Sequence, residues 1–328
     1  MLSEASDGVI DADRVRYSVV VPVYGNEATL PALIARLKLM ADGLDAPMEV
    51  VFVVDGSPDG SLLVLRKLLP MSGLPAQLVC HSRNFGSFAA IRTGFAAARG
   101  DYVAAMAADL QEPSELVEQF FGHLSSGEYD VAVGVRTGRD DPLTTTMLSK
   151  TFWSLYRRWV HPDIPPGGVD IFGCTQDVAA RLVGLDESHT SMVGLLYWLG
   201  FRRISIPYKR APRLEGKSGW SFKRKWRYLL DSVFSFTDVP VTILTSIGII
   251  GGIGTLLASV VVTVARLTGA TQLSGYTPLM LVMLMSTFTI LFGLGVVGSY
   301  VWRTYENSKG RPDSVPMSHE VFGAGHDD

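Results

Sequence analysis

The apolar residues change rhythm along the chain. Up to Ala108, short continuous apolar runs alternate with stretches of helical period. The runs are SVVVPVY (18–24), EVVFVVD (49–55), QLVCHS (77–82) and DYVAAMAA (101–108). Their length and Val-rich composition predict strands. Between them, residues 27–41 set Leu30, Leu33, Ile34 and Leu37 on one helical stripe, and 62–70 and 86–98 read as further helices. GSPDGS (56–61) is turn chemistry, with Asp59 or Ser61 placed to cap the helix 62–70. Continuous apolar strands separated by helices predict an α/β domain with a mostly parallel sheet covered on both faces.

Further on, the alternation gives way to greasy stretches. Val239 to Ala265 is 27 residues without a charge, and Leu267 to Trp302 is another 36, of which 278–302 is the most apolar part. A bilayer core takes about 20 apolar residues per helix. Spans at 239–265 and 278–302 are therefore expected, forming a transmembrane hairpin. Gly248 and Gly252, and Gly295 and Ser299, stand at the small-xxx-small spacing that suits close helix contact within the hairpin or between subunits of a homo-oligomer.

Charge orients the spans. Residues 202–227 hold ten Lys and Arg against one acidic residue, Glu215, while the loop between the spans has none beyond Arg266 at its border. Arg303, Lys309 and Arg311 follow the second span. The positive-inside rule then places both termini in the cytoplasm, as expected for an inner-membrane protein. Within the basic band, Phe222, Trp226, Leu229, Leu230 and Val233 recur at helical spacing with Lys223, Arg224, Lys225 and Arg227 on the other face. This predicts an amphipathic helix over 216–236 lying in the headgroups of the lipid bilayer. The acidic N-terminus, 1–16, has no leader pattern, and 303–328 reads as a cytoplasmic tail.

Composition narrows the function. The net charge of −3 excludes a strongly basic nucleic-acid binder, and 19% charged residues with a mean hydropathy of +0.24 is unusual for a wholly soluble enzyme, where about 25% is ordinary. Two cysteines, Cys80 and Cys174, make no disulfide framework.

Ligands of parallel sheets sit beyond the carboxyl ends of the strands. Here those ends carry Tyr24–Glu27, Asp55–Ser57, Arg83–Gly86 and Asp109–Gln111, so four polar clusters converge on one edge. Asp55 is either an acceptor for a base or ribose or a turn-stabilising carboxylate. Asp109 and Gln111 offer two hard oxygens of the kind Mg²⁺ or Mn²⁺ takes, or else an ordinary helix-opening turn before Pro113.

The residues at these positions resemble a known family. VVPVYGNEATL (20–30), VVFVVDGSPDGS (50–61), SRNFGSFAAIRTGFAAARGD (82–101), AADLQEP (107–113), VGVRTGRDD (133–141), GGVDIF (167–172), YKRAPRLEGKSGW (208–220) and GSYVWRTYENSKGRP (298–312) look like glycosyltransferase family 2 with the GT-A fold. Within it they look like the polyprenyl-phosphate sugar transferases, the group of dolichol-phosphate mannose synthase and the bactoprenol glucosyltransferases. The match covers about residues 17 to 316 and implies a catalytic domain over 17–215.

The resemblance implies a role for each matching residue. Pro22, Tyr24, Glu27 and Asp55 would hold base and ribose, with Arg83 and Asn84 lining the nucleotide pocket. Asp109 and Gln111 would hold Mg²⁺ or Mn²⁺ on the donor diphosphate. Arg136 would face the reacting phosphates, with Ser149 and Lys150 on the following helix. Arg213, Lys217 and Ser218 would close over the diphosphate, and Asp170 would lie beneath the acceptor. Val54 and Ala107 stand where the family carries further Asp residues, and Ser299 where many relatives have Glu. The implied reaction is inverting transfer of a hexose from a nucleotide sugar, a UDP-sugar by family habit, to polyprenyl (undecaprenyl) phosphate. The alternatives are a transferase with a protein or diacylglycerol acceptor, a processive polysaccharide synthase, and a non-catalytic scaffold or flippase partner. Arg157-Arg158-Trp159 lacks the Gln of the synthase motif, and no Gly-rich loop follows the first strand as NAD would need.

Overall fold

The computed structural model describes residues 15–137, 154, 157–158, 162–165, 168–185, 191–211, 230–237, 239–268 and 276–323. Described residues up to 211, together with those from 312, belong to one compact unit, and those from 230 to 311 to a second.

The first unit follows the alternation read from the sequence. Its elements are β1 (Tyr17–Val23), α1 (Leu30–Gly43), β2 (Met48–Val54), α2 (Ser61–Ser72), β3 (Ala76–His81), α3 (Ser87–Ala97), β4 (Tyr102–Ala105), α4 (Ser114–Ser125), β5 (Val131–Arg136), β6 (Ile171–Thr175), α5 (Gln176–Gly184), α6 (Met192–Trp198) and β7 (Arg203–Tyr208). β8 (Pro316–Phe322) joins them from the far end of the chain. The strands form one sheet in the order β7-β5-β6-β4-β1-β2-β3-β8. β4, β1, β2 and β3 are parallel, and β6 and β8 run antiparallel to their neighbours.

Burial on both sides explains the continuous apolar strands. Tyr17, Val19, Val21 and Val23 pack in one core with Leu33 and Leu37 of α1, Leu65 of α2 and Phe120 of α4. The intervening Val20 faces α3, which approaches so closely that a Cβ on Gly94 would stand 2.2 Å from Val20 Cγ1. Gly60 stands at the N-cap of α2 and Asp59 accepts the Ser61 N–H at 3.1 Å, so Ser61 itself does not cap.

The C-terminal segment 303–328, expected as a tail, contains β8. It pairs with β3 from Phe322 opposite Ala76 to Pro316 opposite His81. Its side chains alternate between half-buried and exposed, and a strand buried on one face gives a weak hydrophobic signal in seven residues.

The second unit holds α7 (Val239–Leu267), α8 (Tyr276–Ser308) and a helical segment at Leu230–Phe236. Among the described residues one helical stretch, Met285–Ser308, is by itself long and apolar enough to cross a membrane, and Leu230–Phe236 with Val239–Gly251 passes only as a bent pair. Met285–Ser308 overlaps the second span expected at 278–302. The chargeless run 239–265 is helical as expected, but part of it reaches span length and hydropathy only together with the preceding segment. At Gly293 an added Cβ would meet Leu244 of α7 at 3.3 Å, whereas nothing lies within 4 Å of one added at Gly248 or Gly295. The lower end of α8 carries Tyr300, Trp302 and Tyr305, with Lys309 Nζ 4.4 Å from the Tyr305 ring centre. Arg303 donates to Asp231 at 2.7 Å. Most of the interface helix expected over 216–236 lies outside the described residues.

Candidate active site

The topology brings eight strand ends to one edge. β1, β2, β3, β4, β5 and β7 finish there, and β6 and β8, running the other way, begin there. This edge collects Tyr24–Glu27, Asp55–Ser61, Arg83–Gly86, Asp109–Glu112, Arg136, Asp170 and Tyr208–Arg210.

On the β1–β3 side the loops are tied to one another. Gly25 N–H donates to Ser57 Oγ at 2.8 Å, Glu27 N–H to Asp59 Oδ2 at 3.0 Å, and Gly60 N–H to Glu27 Oε2 at 2.8 Å. Glu27 thus spends one carboxylate oxygen on the turn after β2. Gly56 has φ +57°, and a Cβ there would stand 2.4 Å from the Arg83 carbonyl carbon, so the two loops touch through bare backbone. Asp55 is 2% exposed. It accepts the Phe85 N–H at 2.8 Å, the Gly86 N–H at 2.7 Å and His81 Nδ1 at 2.9 Å. Burial works against its charge, but His81 and the two amides outweigh it, and the pKa lies below the ordinary 3.8. The Asp55 carboxylate thus anchors the 83–86 loop. Tyr24, Arg83 and Asn84 are exposed and Pro22 half-buried, and Arg83 lies 4.0 Å over the Phe85 ring.

The β4–β7 side is charged. Asp109 and Gln111 flank Leu110, whose φ of 60° is the one positive value outside glycine among the described residues. That turn lets Gln111 N–H donate to Asp109 Oδ1 at 3.2 Å. Gln111 also clasps Ala211: its Nε2 donates to the Ala211 carbonyl at 3.1 Å, and Ala211 N–H returns to the Gln111 carbonyl at 2.9 Å. Gln111 keeps Oε1 as an acceptor. Arg210 Nη2 sits 3.7 Å from both Asp109 and Glu112. Glu112 is 2% exposed, and burial, with Asp109 close by, pushes its pKa up to about 7.

Arg136 and Asp170, predicted separately, meet. Arg136 Nη2 donates to Asp170 Oδ2 at 2.5 Å, and the Tyr208 hydroxyl donates to the same oxygen at 3.3 Å. Burial opposes the Arg136 charge, yet Asp170 beside it raises the pKa, and burial likewise pushes the Tyr208 hydroxyl up. Three buried polar atoms here have no partner among the described residues: Glu112 Oε2, Arg136 Nε and Arg210 Nε.

Asp109 and Gln111 Oε1 offer hard oxygens that fit a divalent cation completing its shell with substrate oxygens. Among the described residues no group of three or more His, Cys, Asp and Glu forms a self-sufficient metal cage. Ser149, Lys150, Arg213, Lys217 and Ser218 lie outside the described residues. Sequence reading passed over Tyr208, Arg210 and His81. The first and last are polar residues closing apolar strands, a signal no weaker than that of Asp55; Arg210 was counted only within the basic band.

Comparisons with known proteins identify the family. The glycosyl transferase family 2 model matches residues 18–186. An uncharacterized glycosyltransferase of Synechocystis, sll0501, is 31% identical over 299 residues, covering 91% of this chain and 93% of the relative. The uncharacterized glycosyltransferase YkcC of Bacillus subtilis is 30% identical over 301 residues, covering 91% and 92%. Among solved structures, a mannosyltransferase from Pyrobaculum calidifontis in complex with GDP-Man and Mn²⁺ superposes at a TM-score of 0.44 and 18% identity, covering 87% of each chain. The chain belongs to glycosyltransferase family 2 and is a glycosyltransferase.

Proposed function

We propose that the protein transfers a hexose, with inversion, from a nucleotide sugar to polyprenyl phosphate at the cytoplasmic face of a membrane. A UDP-sugar is the favoured donor. The observation that carries this reading is the meeting at one sheet edge of Asp109 and Gln111 with Arg136 and Arg210: oxygen ligands beside guanidinium groups suit two phosphorylated partners.

The loops after β1, β2 and β3 take the nucleoside, with Tyr24, Arg83 and Asn84 as the exposed contacts. Asp109 and Gln111 would hold Mg²⁺ or Mn²⁺, which would supply charge neutralisation for the donor diphosphate as it leaves. A phosphate monoester, with its second pKa near 6, is already mostly dianionic at neutral pH and needs no strong base. Asp170, held by Arg136 and Tyr208, is accordingly an orienting group. Arg136 neutralises the incoming phosphate once it exchanges part of its contact with Asp170.

The acceptor follows from the apolar helices. α7 and α8 act as a two-span hairpin with both termini cytoplasmic, the aromatic residues and Lys309 at the end of α8 mark the water interface, and the basic band 202–227 rests on anionic lipid. A polyprenyl tail stays in the bilayer while its phosphate reaches the headgroup layer.

The test is to incubate the full-length protein in lipid vesicles with UDP- and GDP-sugars, with and without a short polyprenyl phosphate. Nucleoside diphosphate release that depends on the lipid, with sugar recovered on the lipid phosphate, is the expected result. Release indifferent to the lipid overturns the acceptor.

A further inference from the structure

The anchor of the 83–86 loop does not end at Asp55. His81 Nε2 lies 2.9 Å from Thr93 Oγ1, and Thr93 Oγ1 lies 2.8 Å from Ser314 Oγ. Ser314 belongs to the stretch between α8 and β8. That stretch is fixed on either side: Asp313 pairs with Arg92, and Ser82 N–H donates to the Val315 carbonyl at 3.0 Å. β8 then seats it, with Arg66 on Glu320 at 2.6 Å and His319 on Gln77 at 2.7 Å. A ring path runs beside the hydrogen bonds: His81 meets Phe85 edge-on at 5.5 Å, and Phe85 carries the Arg83 guanidinium.

We propose that the segment after α8 is a positioning element for the donor: through Ser314, Thr93, His81 and Asp55 it sets the direction in which Arg83 and Asn84 present themselves to the nucleotide. This rests on the reading that the strand-end edge binds a nucleoside diphosphate sugar. The order of donors supports it. With Nδ1–H donated to Asp55, His81 Nε2 is placed to accept from the Thr93 hydroxyl, whose oxygen in turn accepts from Ser314. Apolar packing alone would hold β8 in place, since Phe322 already packs on the core. Hydrogen bonds add direction, and this chain of them ends on the two consecutive amides of Phe85 and Gly86.

Thr93→Val keeps the shape and removes the hydroxyl, Thr93→Ser restores it, and Ser314→Ala removes the last link. Loss of one net hydrogen bond corresponds to about a tenfold change at most. Calorimetry with UDP and GDP in Mg²⁺ on the purified full chain, and KM and kcat for the nucleotide sugar, are the readouts. Thr93→Val is expected to weaken nucleoside diphosphate binding by about fivefold to tenfold, with the loss in KM and kcat little changed, and to speed hydrogen exchange at the Phe85 and Gly86 amides. Ser314→Ala follows with a smaller loss, and Thr93→Ser returns to wild type. Wild-type affinity in Thr93→Val, even with a lowered melting temperature, overturns the positioning role and leaves the donor reading intact. A wild-type chain that binds neither UDP nor GDP refutes the donor reading itself, and the positioning role falls with it.

Discussion

The two halves of the strand-end edge are built differently. Around β1, β2 and β3 each carboxylate has been matched: Asp55 with two amides and a histidine, Asp59 with Ser57, Ser61 and the Glu27 amide, Glu27 with Gly60. Around β4, β5 and β7 charges are crowded and incompletely satisfied, with three bare buried atoms and a left-handed leucine. Buried polar atoms are ordinarily paired, and strained backbone clusters where structure serves chemistry. The satisfied half is therefore preformed, and under the proposed function the bare Arg136 and Arg210 nitrogens of the other half would donate to phosphate oxygens.

Substitutions on the two sides should fail in different ways. Asp109→Asn is expected to lower turnover by about 100-fold or more while circular dichroism and melting stay at wild type, since it removes charge stabilisation and no packing. Full activity of the purified variant would remove Asp109 from the mechanism. Arg136→Ala should cost about tenfold or more, concentrated in the KM for lipid phosphate, because a charge-assisted contact is lost and Asp170 is left facing the acceptor. Unchanged acceptor kinetics would break that assignment. On the satisfied side, Gly56→Ala forces a Cβ into the Arg83 backbone at positive φ. The expected cost is about 1–3 kcal/mol of stability, read in denaturant melts, together with weaker donor binding. A neutral outcome would mean the two loops are not held in contact.

The smallest effect is in pH. Asp59 is lowered to about 2: burial opposes its charge, but hydrogen bonds from Ser57, Ser61 and the Glu27 amide outweigh it. Asp55 is shifted in the same direction. Both folded values lie below the unfolded ones, so their contribution is complete above about pH 4 and is lost as the pH falls towards 2. Asp55→Asn should lower the melting temperature at pH 6 and flatten its acid decline. An unchanged decline would show that the anchor adds no stability.

Much of the first unit was legible because its signals are local. Val-rich runs bounded by turns gave β1 to β4, and parallel topology then put Asp55, Arg83 and Asp109 at one edge. What stayed hidden depends on contacts distant in sequence. β8 is half-polar, and its partner β3 lies more than 200 residues earlier. Asp170 reaches Arg136 only because β6 runs antiparallel and starts where β5 ends. Asp55 was legible as a strand-end carboxylate, but its engagement with Phe85 and Gly86 depends on the contact between the Gly56 turn and the 83–86 loop.

The contrast between the two halves is tested most directly by calorimetric titration of UDP into wild type and Asp109→Asn, each with and without Mn²⁺. Wild type is expected to bind more tightly with the cation, and the variant to lose that gain while keeping the cation-free affinity supplied by the β1–β3 loops. An Mn²⁺ gain that survives in the variant, or a variant that no longer binds UDP at all, would contradict the account.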